Sequence, residues 1–429
     1  MNPGFDYIRV RNYKLTTYFP DGTSSEFNGV TWNGCRAEIM RILNEYYYEV
    51  GTLSDDAGNL YLINACNVTY TEFDEDTLRI GVTFDSGDIL VFTSVTAARG
   101  GQDERYLKFI IDANNLDRVR EGRNVKFVVP GATQTDSIFP DFASLQSAIM
   151  PGDYVIATAG THTMNEFFQF ANGVDIEFRE NPTLRVNYDA DTSIGLCAFT
   201  DHAEPFASLD NDTRAEIADT TKKITARIFG RAVIEINDCP SNKFMPVIRN
   251  YYDSNLFIEA ASLRHTNTNG AVLYSFQGTQ TARIKNVPQV QRLIDNDYLA
   301  SVCDLDTLSA DVSYCSFFPG SDVSAEDPTA IIRNATITNS GGTAIDTIAH
   351  AIFDYHYVNA RDEGSALFFN STFAGASANM YAHFFNCETD EFYRSNQVLS
   401  FYNNNFLNQR NNTTDGGGVN YYYDSLTSI

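Results

Sequence analysis

The first part of the chain carries both helical and strand-like patterns of apolar residues. Within residues 34–51, apolar side chains recur at i, i+3, i+4, i+7 and i+11, the stripe of an amphipathic helix: Ile39, Ile42, Leu43, Tyr46 and Val50. We predict Asn33 as the N-cap of this helix and Gly51 as its C′ residue. Two strand-like runs, 78–84 and 89–95, flank the sequence DSGD and predict a β-hairpin. These patterns indicate an α+β N-terminal domain over residues 1–128.

A second, shorter helix is predicted where the pattern begins to change. Phe142, Leu145 and Ile149 share one helical face, and Asp141 stands before them as the predicted N-cap. The Pro-Gly-Asp sequence at 151–153 ends this helix, and a strand follows it. Such a helix would cover the apolar end of a stack of strands, which otherwise faces water.

From residue 151 onward, apolar and polar residues alternate with a period of two. In VDIEF, Val174, Ile176 and Phe178 alternate with Asp175 and Glu177, as in a strand with one buried face. No amphipathic helix of ordinary length interrupts the short strands that follow. This pattern excludes a doubly wound α/β fold and leaves a β-sandwich, a propeller or a solenoid.

A repeat of two aromatic residues followed by asparagine decides among these folds. It occurs as FFN, FFN and FYN at 368–370, 384–386 and 401–403. Its asparagines, Asn370, Asn386 and Asn403, are 16 (386 − 370) and 17 (403 − 386) residues apart. A coil that rises by one strand per repeat stacks like residues above one another, so we predict an asparagine ladder. The same spacing predicts a fourth strand at IFD, residues 352–354.

These features carry a resemblance to known proteins. The helix ended by Pro-Gly-Asp, the asparagine at a repeated turn and the short strands resemble right-handed parallel β-helix proteins of the pectate-lyase-like class. The resemblance covers about residues 138–429 and is architectural, since no lyase or glycosidase active-site motif matches. A small N-terminal domain without a signal peptide, placed before such a helix, is similar to phage tailspikes and other virion β-helix proteins.

The expected fold class is therefore mainly β. It comprises a right-handed single-stranded parallel β-helix preceded by the small α+β domain over 1–128. Residues 129–150 are the predicted linker and capping helix, and residues 151–429 the β-helix with an irregular C-terminal end.

The aromatic residues of the repeat form two columns, because neighbouring side chains of a strand point to opposite faces. The columns are Phe368, Phe384 and Phe401, and Phe369, Phe385 and Tyr402. We expect one column inside the coil and the other outside, unless a distortion of the turn shields both. An exposed aromatic column indicates a partner. The favoured partner is another copy of the chain in a homotrimer, as the tailspike resemblance implies; the alternative is a saccharide stacked on the rings.

Charge and composition narrow the classes of function. The chain has 55 acidic and 30 basic residues and a formal charge of −25, which disfavours nucleic-acid binding. No apolar run approaches the roughly 20 residues of a membrane helix, and the first residues do not form a signal peptide. The seven cysteines show no CxxC spacing, which favours buried thiols over zinc or disulfides. We expect no cofactor, no metal, no membrane insertion and synthesis in a host cytoplasm.

Weak candidates for catalysis share an acidic stretch near the repeat: Asp354, His356, Glu363 and Glu388. The spacing predicts Glu388 two strands from His356, through Thr372. Glycoside hydrolysis needs two flanking carboxylates, which stacked strands can supply without a motif, so a solvated acidic face is the favoured interpretation. Asp304 and Asp306 could likewise form a carboxylate pair, but a solvated loop is favoured there.

Three functions remain open. The favoured one is a virion structural protein: a tailspike, tail fibre or capsid decoration. It would dock on other virion proteins through the N-terminal domain, trimerise through the β-helix and contact a host surface, with polysaccharide as the expected ligand. The second is a polysaccharide hydrolase or lyase on the same scaffold, and the third a non-viral β-helix scaffold or binding protein. The first is favoured because neither a signal peptide nor a catalytic motif is found.

Overall fold

The computed structural model shows a mainly β protein with few helices, as the sequence predicts. It describes residues 4–29, 31–55, 59–93, 97–165, 168, 170–187, 224–237, 248–265, 271–290, 292–296, 302–312, 329–338, 365–369, 372–373, 376–378, 381–385, 388–394, 399–402, 405–411 and 420–422. In the strands after Thr338, the description covers the backbone and its pairing. None of the described helices combines the length and the apolar character needed to cross a membrane.

The N-terminal unit contains two antiparallel sheets. Its strands are β1 (Tyr7–Arg11), β2 (Lys14–Tyr18), β3 (Ser24–Asn28), β4 (Val50–Ser54), β5 (Leu60–Asn64), β6 (Val68–Asp74), β7 (Arg79–Phe84) and β8 (Ile89–Thr93). They are arranged as β3-β2-β1-β5-β4 and as β6-β7-β8. Its helices are α1 (Trp32–Tyr46), a 3₁₀ turn (Ala65–Asn67), α2 (Ala97–Ala113) and α3 (Leu116–Arg120). The predicted hairpin is confirmed, since β7 and β8 pair antiparallel around Thr83 and Ile89.

Helix α1 confirms the predicted stripe from Ile39 to Tyr46, but Val50 lies in strand β4 and both predicted ends are corrected. Thr31, in an extended conformation, caps the helix by accepting a hydrogen bond from the Gly34 N–H at 3.2 Å, so Asn33 lies inside the helix. Gly51 is not a C′ residue; it lies in strand β4, where α2 packs closely. A Cβ atom on Gly51 would lie 2.9 Å from Leu107 Cδ1, so the glycine permits a helix–sheet contact.

Helix α2 is absent from the sequence-based predictions. Gly100 and Gly101 stand in its first turns, where glycine is unfavourable for a helix. The structure explains Gly100 by packing, because a Cβ atom there would lie 2.1 Å from the Phe73 ring. The second half of α2 buries Tyr106 and Leu107 between the N-terminal sheets and the rest of the molecule.

The remainder of the chain builds a large parallel sheet. Its strands are β9 (Val125–Val128), β10 (Ile138–Phe139), β11 (Tyr154–Ala157), β12 (Thr161–Met164), β13 (Val174–Phe178), β14 (Thr183–Asn187), β15 (Thr225–Gly230), β16 (Val233–Asn237), β17 (Ile248–His265), β18 (Ala271–Val290), β19 (Arg292–Asn296), β20 (Val302–Asp306), β21 (Ser309–Val312), β22 (Thr329–Arg333), β23 (Thr336–Thr338), β24 (Ser365–Phe369), β25 (Thr372–Phe373), β26 (Ala376–Ala378), β27 (Tyr381–Phe385), β28 (Glu388–Arg394), β29 (Leu399–Tyr402), β30 (Asn405–Asn411) and β31 (Asn420–Tyr422). Every pairing described among these strands is parallel.

The pairings follow two ladders. The first ladder runs β9-β11-β13-β15-β17-β18-β20-β22-β24-β27-β29-β31, and the second runs β12-β14-β16-β17-β18-β21-β23-β25-β28-β30. The long strands β17 and β18 contribute to both ladders. Apart from β10, β19 and β26, which pair with β9, β18 and β28, and the two long strands, successive strands of the chain alternate between the two ladders.

A continuous apolar core lies along these ladders and is covered at one end by helix α4 (Phe142–Gln146). The predicted cap is confirmed, because Asp141 Oδ1 accepts a hydrogen bond of 2.7 Å from the Ser144 N–H. Phe142 and Leu145 are buried in the core, but the helix is shorter than predicted: it ends at Gln146, and Ile149 packs against the core from beyond that end. The short helix therefore shields the first strands, as the sequence predicts.

The alternating strand β13 departs from its expected exposure. Val174, Ile176 and Phe178 are buried, as their spacing predicts, but Asp175 and Glu177 are buried too. The face that carries these two carboxylates therefore does not meet solvent, and the N-terminal unit is the element that covers this part of the sheet.

Candidate functional site

The aromatic repeat lies on three neighbouring strands of the first ladder. The register contains two columns, Phe368–Phe384–Phe401 and Phe369–Phe385–Tyr402, as the repeat spacing predicts. The predicted fourth strand, residues 352–354, lies outside the described residues. The other neighbour of β24 is β22, with Ile332 opposite Phe368 and Arg333 opposite Phe369. Because a strand has only two edges, both sides of β24 are taken.

The asparagines of the repeat, Asn370, Asn386 and Asn403, lie outside the described residues. Arg333, which pairs with Phe369, is likewise followed in the sequence by an asparagine, Asn334. Asn334 adopts a left-handed backbone conformation (φ 61°) and is buried. This conformation is one that asparagine tolerates at sharp turns. The ladder of asparagines farther along stays a prediction.

Of the four catalytic candidates, one lies among the residues that the structure describes. Asp354, His356 and Glu363 lie outside the described residues, whereas Glu388 begins strand β28. Glu388 is opposite Thr372, as predicted, but the other partner of Thr372 is Thr336 rather than a residue near His356. Because His356 lies outside the described residues, its position two strands from Glu388 stays a prediction.

The largest concentration of buried charge lies where the N-terminal unit meets the first ladder. We call this region the junction, and it comprises Thr52, Gln102, Asp103, Tyr47, Tyr106, Arg283, Asp304, Asp306, Arg333 and Asn334. All of these side chains are buried. One of its columns continues across four strands with alternating charge: Glu259, Arg283, Asp306 and Arg333.

Arg333 is the most connected side chain of the junction. Its Nε and Nη2 donate to the two oxygens of Asp304 at 2.8 and 2.7 Å, and Nη2 also donates to Asp103 Oδ1 at 2.8 Å. Its Nη1 donates to the Thr52 carbonyl at 3.1 Å. The guanidinium lies 4.1 Å from the centre of the Tyr106 ring. One arginine of the parallel sheet thus binds two elements of the N-terminal unit, α2 and β4.

Asp306 is the second centre of the junction. Its Oδ2 accepts from the Tyr106 hydroxyl at 2.7 Å, and its Oδ1 accepts from Asn334 Nδ2 at 2.8 Å. Arg283 Nε lies 3.3 Å from Oδ2, and its guanidinium lies 4.4 Å from the Tyr47 ring centre. These contacts correct the favoured solvated-loop interpretation: Asp304 and Asp306 lie in strand β20 and are fully buried.

The burial of these groups shifts their ionisation. Burial raises the pKa of Asp304 above its ordinary value, although Arg333 opposes the shift. Burial by itself would lower the pKa of Arg333, but Asp304 and Asp103 raise it well above the ordinary value. Burial also raises the pKa of Tyr47 and Tyr106 well above the phenol value. Charges this enclosed need partners, so the junction can form only when both parts are folded against each other.

A cleft opens beside the junction, between α2 and the strands β13, β15 and β17. Its volume is about 230 Å³, and it is lined by Arg105, Lys108, Phe109, Asp112, Arg123, Gly173, Asp175, Thr225, Arg227 and Phe257. Four of these side chains are cationic and two are carboxylates, an excess of two positive charges (4 − 2) on a chain of formal charge −25. None of these residues was predicted as a site residue.

A sequence signal for the junction does exist. An apolar residue followed by a charged one recurs as Ile258-Glu259, Ala282-Arg283, Leu305-Asp306 and Ile332-Arg333. The charged members are 24 (283 − 259), 23 (306 − 283) and 27 (333 − 306) residues apart, so the irregular spacing conceals the repeat. Among the described residues, no group of three or more His, Cys, Asp or Glu is arranged to hold a metal ion.

Comparison with known proteins returns no match for this chain, whether against protein-family models, curated proteins or solved structures.

Proposed function

We propose that the chain is a structural protein of a virion, such as a tailspike, tail fibre or capsid decoration. In this proposal the N-terminal unit docks on the particle, and the parallel-stranded part projects as a homotrimer that contacts a host surface. The observation that carries the proposal is the pair of aromatic columns in register on successive parallel strands. A repeated apolar column along a stack of strands suits side-by-side packing of identical chains.

The proposal includes the finer fold. We propose that residues 151–429 form a right-handed single-stranded parallel β-helix. Its support is that successive strands alternate between two parallel ladders without crossover helices between the described strands, which is the connectivity of a solenoid. The right-handed sense follows the strong preference of parallel crossover connections.

The register also favours one aromatic column as the outer one. Phe368 follows Ile332 and Leu305, which are fully buried in the apolar core. Phe369 instead follows Arg333 and Asp306, which belong to the junction on the opposite face. We therefore expect Phe368, Phe384 and Phe401 to continue the core. By the same register, Phe369, Phe385 and Tyr402 would continue the outer face.

The energetic reason for a partner is the size of the rings. Burying an aromatic side chain removes about 150–250 Å² from water and contributes roughly 2–3 kcal/mol. Three such rings per chain, brought together around a threefold axis, would strongly favour the trimer over the lone chain. The buried junction supports the docking role as well, since it would hold the N-terminal unit in a fixed orientation on the projecting part.

The test is the triple variant Phe369→Ser/Phe385→Ser/Tyr402→Ser. We expect folded monomers, measured as a fall in mass by light scattering with little change in the circular dichroism of the strands. A matched control replaces three exposed aromatic residues of the N-terminal unit, Tyr13, Phe27 and Tyr70, by serine. The control should keep the mass of the unmodified protein.

Three results would count against the proposal. A monomeric state of the unmodified protein in solution would contradict the proposed homotrimer. A triple variant that keeps its mass but loses binding to capsular polysaccharide would make the column a saccharide platform. New reducing or unsaturated ends in a purified polysaccharide incubated with the protein would replace the structural role by that of a depolymerase.

A further inference from the structure

The cleft beside α2 contains two kinds of cationic side chain. Arg123 and Arg227 are held by carboxylates of the same wall. Arg227 Nε donates to Asp175 Oδ1 at 2.8 Å, and Arg227 also pairs with Asp112. Arg123 pairs with Asp175 and donates through Nε to the Gly152 carbonyl at 2.9 Å. These two arginines and two carboxylates neutralise one another and build a rigid wall.

Arg105 and Lys108 differ from this pair. Neither forms an ion pair with a carboxylate in the part of the chain that the structure describes. The Arg105 guanidinium donates to an uncharged acceptor, Gln102 Oε1, at 3.3 and 3.2 Å. Lys108 is exposed, and Arg105 is half-buried. The excess positive charge of the cleft therefore belongs to two side chains whose positions, three residues apart on α2, put them on one face of the helix.

The apolar part of the lining lies beside these cations. Phe109 of α2 and Phe257 of β17 line the cleft, and their ring centres lie 5.4 Å apart. Phe229 belongs to the same buried cluster, and its ring centre lies 5.3 Å from that of Phe109. An aromatic surface gains little from a fully hydrated inorganic ion, but it contacts the carbon skeleton of an organic one.

We propose that this cleft binds a small organic anion of about the size of a monosaccharide. Its carboxylate or phosphate group is held by Arg105 and Lys108, and its carbon skeleton lies against Phe109 and Phe257. Arg105 offers the planar fork that recognises either oxyanion, and Lys108 adds a mobile charge. The volume of the cleft is below the roughly 300 Å³ at which drug-sized pockets begin, which favours a single small ring or chain. This site is separate from the aromatic columns and does not rest on the proposed function.

The test is calorimetric titration of the full chain at fixed ionic strength with four probes: glucuronate, glucose 6-phosphate, inorganic phosphate and glucose. We expect saturable binding of one or both organic anions, tighter than that of inorganic phosphate and of glucose, and weakened by added salt. The tighter of the two organic anions identifies the carboxylate or the phosphate as the recognised group.

The variant Arg105→Gln/Lys108→Gln should weaken this binding by roughly tenfold or more, the effect of losing charge-assisted hydrogen bonds. The matched control is Arg11→Gln/Arg79→Gln, which removes the same charge at two exposed arginines of the antiparallel sheets and should bind as the unmodified protein does. Lys108→Glu, a change at an exposed position, tests the same charge even if the double variant unfolds, and should also weaken binding by roughly tenfold or more.

The proposal is overturned if no organic anion binds saturably, or if inorganic phosphate binds as tightly as the organic anions do. It is also overturned if both cleft variants bind normally, or if the control variant loses as much affinity as they lose.

Discussion

Two stretches of the same parallel sheet place different residues at equivalent register positions. Beside the N-terminal unit, one column consists of Glu259, Arg283, Asp306 and Arg333. Farther along the chain, the same column continues as Phe369, Phe385 and Tyr402. The pairing is parallel in both stretches, so the pairing does not determine which side chain this register position carries.

We propose that the partner of each stretch accounts for the difference. Buried charges need specific opposite charges and hydrogen bonds, and the N-terminal unit supplies these from Asp103, Thr52 and Tyr106. Aromatic residues need only an apolar neighbour, which another copy of the chain can provide. The N-terminal unit is part of the same chain, so it can form a polar contact that fits at one register only. A second copy of the chain, as proposed, suits a repetitive apolar contact.

The largest expected change in the free energy of unfolding comes from removing a charge from the charged stretch. Arg333→Ala should lower the free energy of unfolding by about 3–5 kcal/mol, because Asp304 and Asp103 lose their buried guanidinium. The control is Arg264→Ala, whose guanidinium is exposed and lies 3.5 Å from Glu235; it should cost no more than about 1 kcal/mol. Chemical denaturation of both variants measures the difference.

The loss in Arg333→Ala should depend on pH. Without the arginine, the already raised pKa of Asp304 rises further, and a raised carboxyl pKa costs stability as pH increases through it. The variant should therefore recover part of its stability as pH falls through the raised pKa of Asp304. A deficit that stays constant with pH would show that lost packing, and not lost charge, is the cause.

An effect of similar size would separate the two faces of the aromatic stretch. Phe384→Ala should cost about 3–5 kcal/mol, because its register continues the buried core. Phe385→Ala should leave the unfolding of the isolated chain within about 1 kcal/mol and lower the stability of the oligomer instead. Denaturation at several protein concentrations distinguishes the two outcomes. Equal losses that do not depend on concentration would put both residues in the core.

A smaller expected effect is the loss of the contribution of Asp153 to stability at acid pH. Asp153, at the first turn of the parallel sheet, accepts from Lys126 Nζ, the Met150 N–H and Asn124 Nδ2 at 2.7, 2.7 and 2.8 Å. Burial opposes ionisation of Asp153, but these donors, with Lys126 foremost, hold its pKa below the ordinary 3.8. A depressed pKa contributes stability above the unfolded value, and this contribution is lost as pH falls through the folded pKa.

Asp153→Asn should therefore destabilise the protein by about 2–3 kcal/mol at pH 7, and the two unfolding curves should converge below about pH 4. Acid denaturation followed by tryptophan and tyrosine fluorescence measures this. The aromatic stretch offers the internal reference, since the loss in Phe384→Ala should not change with pH. A loss in Asp153→Asn that persists unchanged at pH 3 would contradict the assignment.

The smallest effect concerns the covering helix. Asp141→Ala removes the side-chain cap of α4 and should cost about 1 kcal/mol. Asp141→Ser keeps a capping hydroxyl and should restore most of the loss. If alanine and serine are equivalent by thermal unfolding, the cap contributes nothing to the end of the core.

The sequence predicts those features of this molecule that depend on local period. The α1 stripe, the β7–β8 hairpin, the cap at Asp141 and the register of the aromatic columns all follow from spacings of a few to 17 residues. Thr31 is the N-cap of α1 in place of the predicted Asn33. Both residue types cap helices, so the sequence alone does not determine in which of the two positions the helix begins. Helix α2 was missed because Gly100 and Gly101 lower its propensity, and the Phe73 ring that requires a small residue is remote in sequence.

The junction and the cleft depend on contacts between residues that are far apart in the sequence, and no local pattern predicts such contacts. The sequence places Asp304 and Asp306 in a polar segment, CDLDT, that is typical of a loop. Their burial follows from Arg333 on the next strand and from Tyr106 on a helix about 200 residues earlier. Likewise, Arg105 and Lys108 can be recognised as residues of a cleft only in the folded protein, where Phe257 of a distant strand lines the same cleft. Long connections of variable length between strands remove the regular spacing that made the aromatic repeat visible.

The junction also constrains how the chain is made. The Thr52 carbonyl bonds to Arg333 across 281 residues, and the Val50 carbonyl bonds to Arg283 across 233. At roughly 5–20 residues per second, the 230 residues that separate Asp103 from Arg333 take about 12–46 seconds to synthesise. During that interval Asp103 and Tyr106 face water or a chaperone. Nascent chains truncated before residue 333 should therefore expose α2 to protease, and the full chain should protect it.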